Sequence, residues 1–318
     1  MTTFIIRRLL MGVVVILIVT IMIFLFIRLL PGDPLILYMT GRDLVDLSSQ
    51  QMDALKAKFG LDQPLPVQYA VWLGRIFKGD LGLSIYYDMN VGRLLAERLP
   101  VTIYLGFTAF VISNFLGILF GVTCALKRGT WVDTVVTFFA NIGITVPSFW
   151  IGIILIYLLA LKAHWLPVYG YTSPFENLWL SIRQAIMPVT CLSLFTIAST
   201  CRLTRSSMLE VVAQDYIRTA WSKGLKERII VMRHTLKNAL IPVITVMGLQ
   251  VATIFGGSVL IETVYNIPGV GRLLTESVMQ QDFMVVQAGT LMMAVLVVLS
   301  NLAVDISYGW FDPRIRYD

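Results

Sequence analysis

Side chains able to do chemistry are few in this sequence, and their spacing assembles no reaction centre. His164 and His234 are its two histidines; the orientation of the apolar runs, derived below, sets them on opposite sides of a membrane, where they cannot share a metal. Cys124, Cys191 and Cys201 are its three cysteines. They lie in or beside apolar runs at no metal-like spacing, and an odd count so placed favours buried thiols over a disulfide framework. The dipeptide Gly-Lys occurs nowhere, which removes the phosphate-binding loop of a P-loop ATPase and with it ATP hydrolysis by this chain. Neither H-E-x-x-H nor G-x-S-x-G occurs, and no nucleophile stands beside a base. The expectation is a non-enzyme with no catalytic residue, no metal site and no cofactor of its own.

One stretch asks for a function all the same. AWSKGLKERIIVMRHTLKNALIP, Ala220 to Pro242, carries five Lys/Arg plus His234 between two apolar runs. Asp215 can cap a short helix with Tyr216, Ile217, Ala220 and Trp221 on one face. Lys223 and Gly224 then break it, Gly224 supplying the positive φ of a sharp turn before Leu225. A second helix runs from about Leu225 into the next apolar run, with Ile229, Ile230, Leu236 and Leu240 on its apolar side and Lys226, Arg233 and Lys237 on or near the polar one. Two short helices at an angle make a knob. Its apolar crest and basic flank can seat in a groove on a soluble partner or rest on anionic lipid, and physics alone leaves both open.

The elements that must carry this knob are membrane spans. The apolar fraction is 57%, the charged fraction 14% and the mean hydropathy +0.78, against about 45–50% apolar and about 25% charged in soluble domains. The net charge of +6 does not point to nucleic acid, because the basic residues gather beside apolar runs with no aromatic-studded patch. Runs long enough to cross a bilayer occur at Leu9–Ile27, Val101–Leu126, Thr134–Leu161, Gln184–Cys201, Asn238–Ile261 and Met284–Val304, the fourth being the shortest and containing Pro188. The first, after Arg7 and Arg8, has no small-residue cleavage site behind it and reads as an uncleaved span. With the N-terminus cytoplasmic, the inner segments collect Arg7, Arg8, Lys127, Arg128, Arg202, Arg205 and the basic residues of the knob. The two short outer loops hold only Lys162, Arg183 and Arg272. The predicted fold is an all-α integral membrane protein with about six transmembrane helices, both termini inside. Residues 1–30 form the N-terminus and first span, 31–100 a helical extracytoplasmic segment, and 101–318 a five-span core with its cytoplasmic loop at 205–238. In the outer segment, LSSQQMDALKAKFGLDQPLPVQYAVWLGRIFKG reads as a Ser-capped helix, a Gly/Pro break and a second amphipathic helix. Tyr69, Trp72 and Phe77 of that second helix could rest at the membrane interface.

The span interiors contain no Asp, Glu, Lys, Arg or His, which argues against a proton-driven carrier or an ion channel. The polar residues left inside, Asn114, Asn141, Ser148, Gln250, Gln287 and Asn301, either line a path for a polar solute or hydrogen-bond between helices. Pro147, Pro188 and Pro242 remove helical hydrogen bonds and could serve as hinges. Gly256-Gly257 suggests a close helix approach. Asn141, Pro147, Ser148 and Gln250 are the candidate path or gate residues.

The knob sequence QDYIRTAWSKGL resembles the coupling loop, often called the EAA loop, of binding-protein-dependent ABC transporter permeases of the dipeptide/oligopeptide/nickel class. Ala220 and Gly224 match the E-A-A-x-x-x-G spacing, while Arg218 and Thr219 depart from its Glu and first Ala. RLLPGDP, FGLDQPLPVQY, GDLGLS, ETVYNIPGVGRLL and DPRIR, in this order, extend the resemblance over nearly the whole chain. It implies the first of two homologous permeases in a bacterial inner membrane, a solute-binding protein outside, and two ABC ATPases inside that bind the ATP and Mg. Asp215, Tyr216, Ala220, Trp221, Lys223, Gly224 and Leu225 would then form the ATPase-coupling loop. Peptides fit the class best; nickel-chelate, glutathione or another small solute is the alternative cargo, and a stand-alone secondary carrier or channel the alternative function.

Overall fold

A computed structural model of the chain describes residues 2–29, 62–84 and 86–311. The expected Ser-capped outer helix, the Pro31-Gly32-Asp33-Pro34 turn and the C-terminal DPRIR lie outside the described residues. The helices are α1 (Thr2–Leu29), α2 (Leu65–Phe77), α3 (Val91–Leu126), α4 (Trp131–Thr145) and α5 (Ser148–Leu155), the last continued by a π-helical stretch, Ile156–Lys162. They continue with α6 (Leu178–Val212), α7 (Asp215–Ser222), α8 (Glu227–Val264), α9 (Val270–Met279) and α10 (Phe283–Phe311), α8 including a π-helical stretch at Ile230–Thr235. Among the described residues the one extended pairing is an isolated bridge between Leu83 and Asn90.

Length and apolarity make α1, α3, α6, α8 and α10 spans, and α4 with α5 a sixth if that pair, bent by 107° between its halves, crosses once. The packing settles that it does. α3 and α6 lie parallel: Tyr104 and Ser181 hydroxyls meet at 3.3 Å, Ser193 Oγ donates to the Ala109 carbonyl, and Thr200 and Thr204 sit against Gly117 and Gly121. Two parallel helices need a return crossing between them. Along α4 and α5 the α6 neighbours run backwards, from Arg205 at Asp133 through Ala198 and Leu194 at Gly143 to Cys191 at Gly152, and Arg183 then reaches the Trp165 carbonyl. The pair is therefore a broken span. α8 returns antiparallel to both, with Phe255 against Gly106, Glu262 on Thr102 and Gln250 on Thr200. α10 runs back down, Leu274 of α9 near its start at Gly289 and Gly248 of α8 near its end at Val304, and α1 lies antiparallel to it with Gly12 by Val298. The first turn of α1, the last of α10 and α7 thus share one side, the side carrying most Lys and Arg, which is the cytoplasmic side.

Small residues permit this packing. A Cβ at Gly117 would stand 2.6 Å from Thr200 Cβ, and one at Gly121 2.5 Å from Thr204 Cβ, so the α3 and α6 backbones approach as small-residue membrane interfaces do. Gly256-Gly257, the expected close approach, is not one: nothing lies within 4 Å of a Cβ at Gly256, and Leu192 only at 3.7 Å from Gly257.

Several boundaries differ from the sequence expectation. α3 starts at Val91 and runs through Pro100, with Asn90 Oδ1 accepting from the Arg93 N–H at its start, so the outer segment ends within a span-forming helix. The fourth span, expected to be shortest, is a 35-residue helix continuous through Pro188. Pro242 likewise sits inside α8. Of the three prolines only Pro147 interrupts its span. Tyr69 and Trp72 of α2 turn inward, their rings 5.5 and 5.9 Å from Phe24 of α1, with Tyr69 and Thr20 hydroxyls at 2.9 Å; Phe77 stays exposed.

Candidate functional site

α7 and the first turns of α8 form the cytoplasmic knob. The N-cap of α7 is Gln214, with no side-chain cap bond, and Asp215 is its first helical residue. The expected Asp215 cap is corrected by one position; its carboxylate still favours the helix N-terminus and lies 3.6 Å from Arg218. At the other end the Gly224 N–H donates to the Trp221 carbonyl and the Leu225 N–H to the Ala220 carbonyl, with Gly224 at φ +73°. This pair of bonds is a Schellman motif, and it requires the left-handed residue found there. Its hydrophobic contact is present too, since Leu225 packs on the buried cluster of Ile217, Ala220 and Ile230. The Ala-x-x-x-Gly spacing therefore has a direct cause: the alanine closes the last turn on a packed face and the glycine turns the chain.

The knob is fixed to the span and leaves its crest open. Asn238 Nδ2 donates to Tyr216 OH at 3.2 Å and to the His234 carbonyl at 2.8 Å. Tyr216 is 45% exposed and Trp221 49%, while Ile217 and Ala220 are buried. Ile229 and Met232 are also exposed, beside exposed Lys223, Lys226, Arg228 and Arg233. Four apolar residues expected on one face thus divide into an inner pair that packs and an outer aromatic pair that is available. Close by, Arg205 grips Asp133 with two parallel bonds of 2.8 Å, and the Gly129 N–H caps the same carboxylate. This fork ties the start of the broken span to α6 just before the knob.

The candidate path residues separate in the same way. Pro147 and Ser148 line a cavity of about 270 Å³ at the break between α4 and α5, closed behind by Cys191, Leu192 and Phe195 of α6 and Thr253 and Gly257 of α8. Asn141 lies just before the break, on the exposed side of α4. Gln250 belongs elsewhere: it is buried and donates to Thr200, whose hydroxyl donates to Asn114, a three-helix hydrogen-bond chain of the kind that holds spans together.

Sequence reasoning missed the buried carboxylates at the outer side and at the two span ends. Glu262, in the last turn of α8, is fully buried; it accepts from Thr102 Oγ1 at 2.7 Å and from the Arg272 N–H at 3.0 Å, while Thr102 receives the Val270 N–H. The carboxylate sits on the N-terminus of α9, where free N–H groups and the helix dipole favour an anion, and Gly269 and Gly271 leave no room there for a side chain. That explains the Glu-to-Gly-x-Gly spacing of ETVYNIPGVG. Asp282, also buried, accepts from the Val285 N–H at the start of α10, from Ser84 Oγ at the end of the GDLGLS segment and from the Tyr86 N–H just after it. Tyr87 donates to Glu276 at 3.0 Å, and burial with that carboxylate pushes its hydroxyl up to about 12. Asp133 and Glu262 stand just outside the charge-free runs Thr134–Leu161 and Asn238–Ile261, in the end turns of their helices, so the span interiors keep the absence of ionisable residues read from the sequence. An acidic residue directly before an apolar run, as at Asp282, is a legible cap signal; Glu262, after its run, carries no such signal.

A multi-span chain that presents a helical knob on its cytoplasmic side and breaks one span at a cavity has the build of a membrane transport component. The chain belongs to the family described as binding-protein-dependent transport system inner membrane component, which matches residues 117–317, with the N-terminal companion family of such membrane components matching residues 1–106. It is 42% identical over its full length, and that of the relative, to a putative peptide transport system permease protein of Brucella abortus (strain 2308). It is 40% identical, again with full coverage of both, to the oligopeptide transport system permease protein AppB of Bacillus subtilis (strain 168). Among solved structures, the inward-facing MetNI methionine ABC transporter aligns with a TM-score of 0.54 at 17% identity, covering 69% of this chain and 96% of that one, a likeness of fold.

Proposed function

We propose that this chain is a permease subunit of an ATP-driven importer of di- or oligopeptides, pairing with a second homologous permease. Two cytoplasmic ABC ATPases bind ATP and Mg and grip one knob on each permease, and an extracytoplasmic solute-binding protein delivers the peptide. The observation that carries this reading is the knob: a Schellman-closed helix, anchored by Ile217, Ala220 and Asn238, that leaves Tyr216 and Trp221 half exposed within a basic rim. Helix-in-groove docking uses such a face, and the full-length likeness to permeases named for peptide transport supports the cargo. The cycle follows as a rigid-body switch: ATP closes the ATPase pair, the docked knobs move together, and the bundle changes the side to which it opens.

The test is reconstitution of the whole complex in vesicles with a labelled peptide. Uptake that requires ATP and the binding protein is the expected result; uptake by this chain alone, or uptake that collapses with the proton gradient rather than with ATP, refutes it. Trp221→Asp should abolish co-purification of the ATPases, because truncating an aromatic anchor costs about 2 kcal/mol or more and an unpaired charge in a docked face adds to it. Undiminished co-purification would instead place the crest on lipid.

A further inference from the structure

The break between α4 and α5 lies where a bilayer tolerates it least. Behind it stand Cys191, Leu192, Leu194 and Phe195, in the middle of the charge-free α6 run between Arg183 and Arg202. That is the centre of the hydrocarbon layer. Val146 leaves the helix at φ −88° and ψ 130°, the extended conformation favoured before a proline, and Pro147 follows at ψ 133°. Among the described residues no main-chain bond bridges the gap. The α4 ladder ends with the Val146 N–H on the Ile142 carbonyl, and α5 begins with the Trp150 and Ile151 N–H groups on the Pro147 carbonyl. The carbonyls of Gly143, Ile144 and Thr145 have lost the partners a continuous helix would give them, one of them because Pro147 has no N–H.

One side of this gap is closed by protein. Gly143 packs so tightly on α6 that an added Cβ would stand 3.0 Å from the Leu194 carbonyl oxygen. The other side is open: Asn141, Thr145 and Pro147 are exposed and Ser148 is half-buried. Irregular backbone at membrane depth occurs only where it is covered by protein or lines a water-filled cavity, since each unsatisfied group costs several kcal/mol in lipid. α3 carries exposed Phe107 and Phe115, and an unbroken helix can show such apolar side chains to lipid. The open side of this gap cannot.

We propose that the Thr145–Ser148 break faces the water-filled translocation path enclosed with the second permease, and that its free carbonyls and the Thr145 and Ser148 hydroxyls are the surface a peptide main chain meets at the membrane centre. This rests on the permease reading and deepens it. It assigns a face of this chain to the path and takes Gln250 out of it. The chemistry suits cargo of varied side chains, because main-chain groups are common to every peptide.

The test uses the complete transporter in vesicles during turnover with ATP and peptide. Asn141→Cys and Thr145→Cys are compared with Phe115→Cys for reaction with a charged, membrane-impermeant thiosulfonate, over the background of the unmodified chain. The thiolate is the reactive form and apolar surroundings suppress it, so a lipid-facing cysteine reacts slowly. The expected result is labelling of the two break positions on the order of tenfold faster than Phe115→Cys or more, slowed by excess peptide. Equal or slower labelling overturns the proposal. Peptide uptake by the unmodified complex in the same vesicles tells the two failures apart: normal uptake with unlabelled break cysteines sinks only the path assignment, whereas no ATP-driven uptake sinks the permease reading beneath it.

Discussion

Gly224 offers the cleanest test of whether the knob's shape transmits force. It sits at φ +73° with nothing within 4 Å of where a Cβ would stand, so a substitution there meets no neighbour and changes only the backbone energy. The left-handed conformation costs an L-residue about 1–2 kcal/mol; asparagine tolerates it better and a β-branched residue worse. Gly224→Asn, Gly224→Ala and Gly224→Val should therefore form a graded series. A penalty of one to two kcal/mol lowers the population of the native turn by roughly 5–30-fold relative to the frayed one, and the apparent affinity for the ATPase groove falls by the fraction of knobs still folded. Because the turn is exposed and lies outside the bundle, insertion and yield should be unchanged. In reconstituted vesicles the ratio of peptide taken up to ATP hydrolysed should fall in the order Asn, Ala, Val. Wild-type coupling in Gly224→Val would refute the view that this turn must hold its shape.

Further substitutions probe the frame of the helix bundle. Glu262→Gln keeps the shape but removes the charge at the N-terminus of α9 and should lower thermal stability in detergent by about 0.3–2 kcal/mol. Glu262→Ala should cost more, since it strands the Thr102 hydroxyl and the Arg272 N–H in a buried site; equal effects would mean the carboxylate is not what holds α9. Gly117→Val places a branched side chain where a single Cβ already meets Thr200 at 2.6 Å. It should force α3 and α6 apart at a cost of about 1–3 kcal/mol, read as a lower melting temperature, whereas Gly256→Val, with open space around it, should melt near the wild type.

What the sequence disclosed follows the range of each signal. Span number and sidedness rest on composition over some twenty residues at a time, and the packing of α3, α6 and α8 agrees with both. The knob was legible because its cues are local: apolar residues at helical spacing and a glycine one turn beyond Ala220. The split of that face into buried Ile217 and Ala220 and exposed Tyr216 and Trp221 was not, because it depends on where Ile230 folds back. Proline was an ambiguous cue. Pro188 and Pro242 lie inside continuous helices, and of the three only Pro147 follows a residue that has turned extended. Glu262 escaped notice because a carboxylate that ends an apolar run reads as the membrane boundary; its partners at Thr102 and Arg272 come from distant elements. Of FGLDQPLPVQY, the described residues from Asp62 onward form the turn that leads into α2 and the helix's start.

α8 has a mechanical consequence. Its 38 residues, Glu227 to Val264, run without a loop from the knob past Glu262, roughly 57 Å at 1.5 Å per residue. The cytoplasmic tip is pinned to α7 through Asn238 and Ile230, and the far tip is clasped by Thr102 and the α9 backbone. A torque applied to the knob thus has no slack segment in which to dissipate and reaches the outer face as a tilt or twist of the same rod, so that the knob on one side of the membrane and the Glu262 clasp on the other are two ends of a single secondary-structure element.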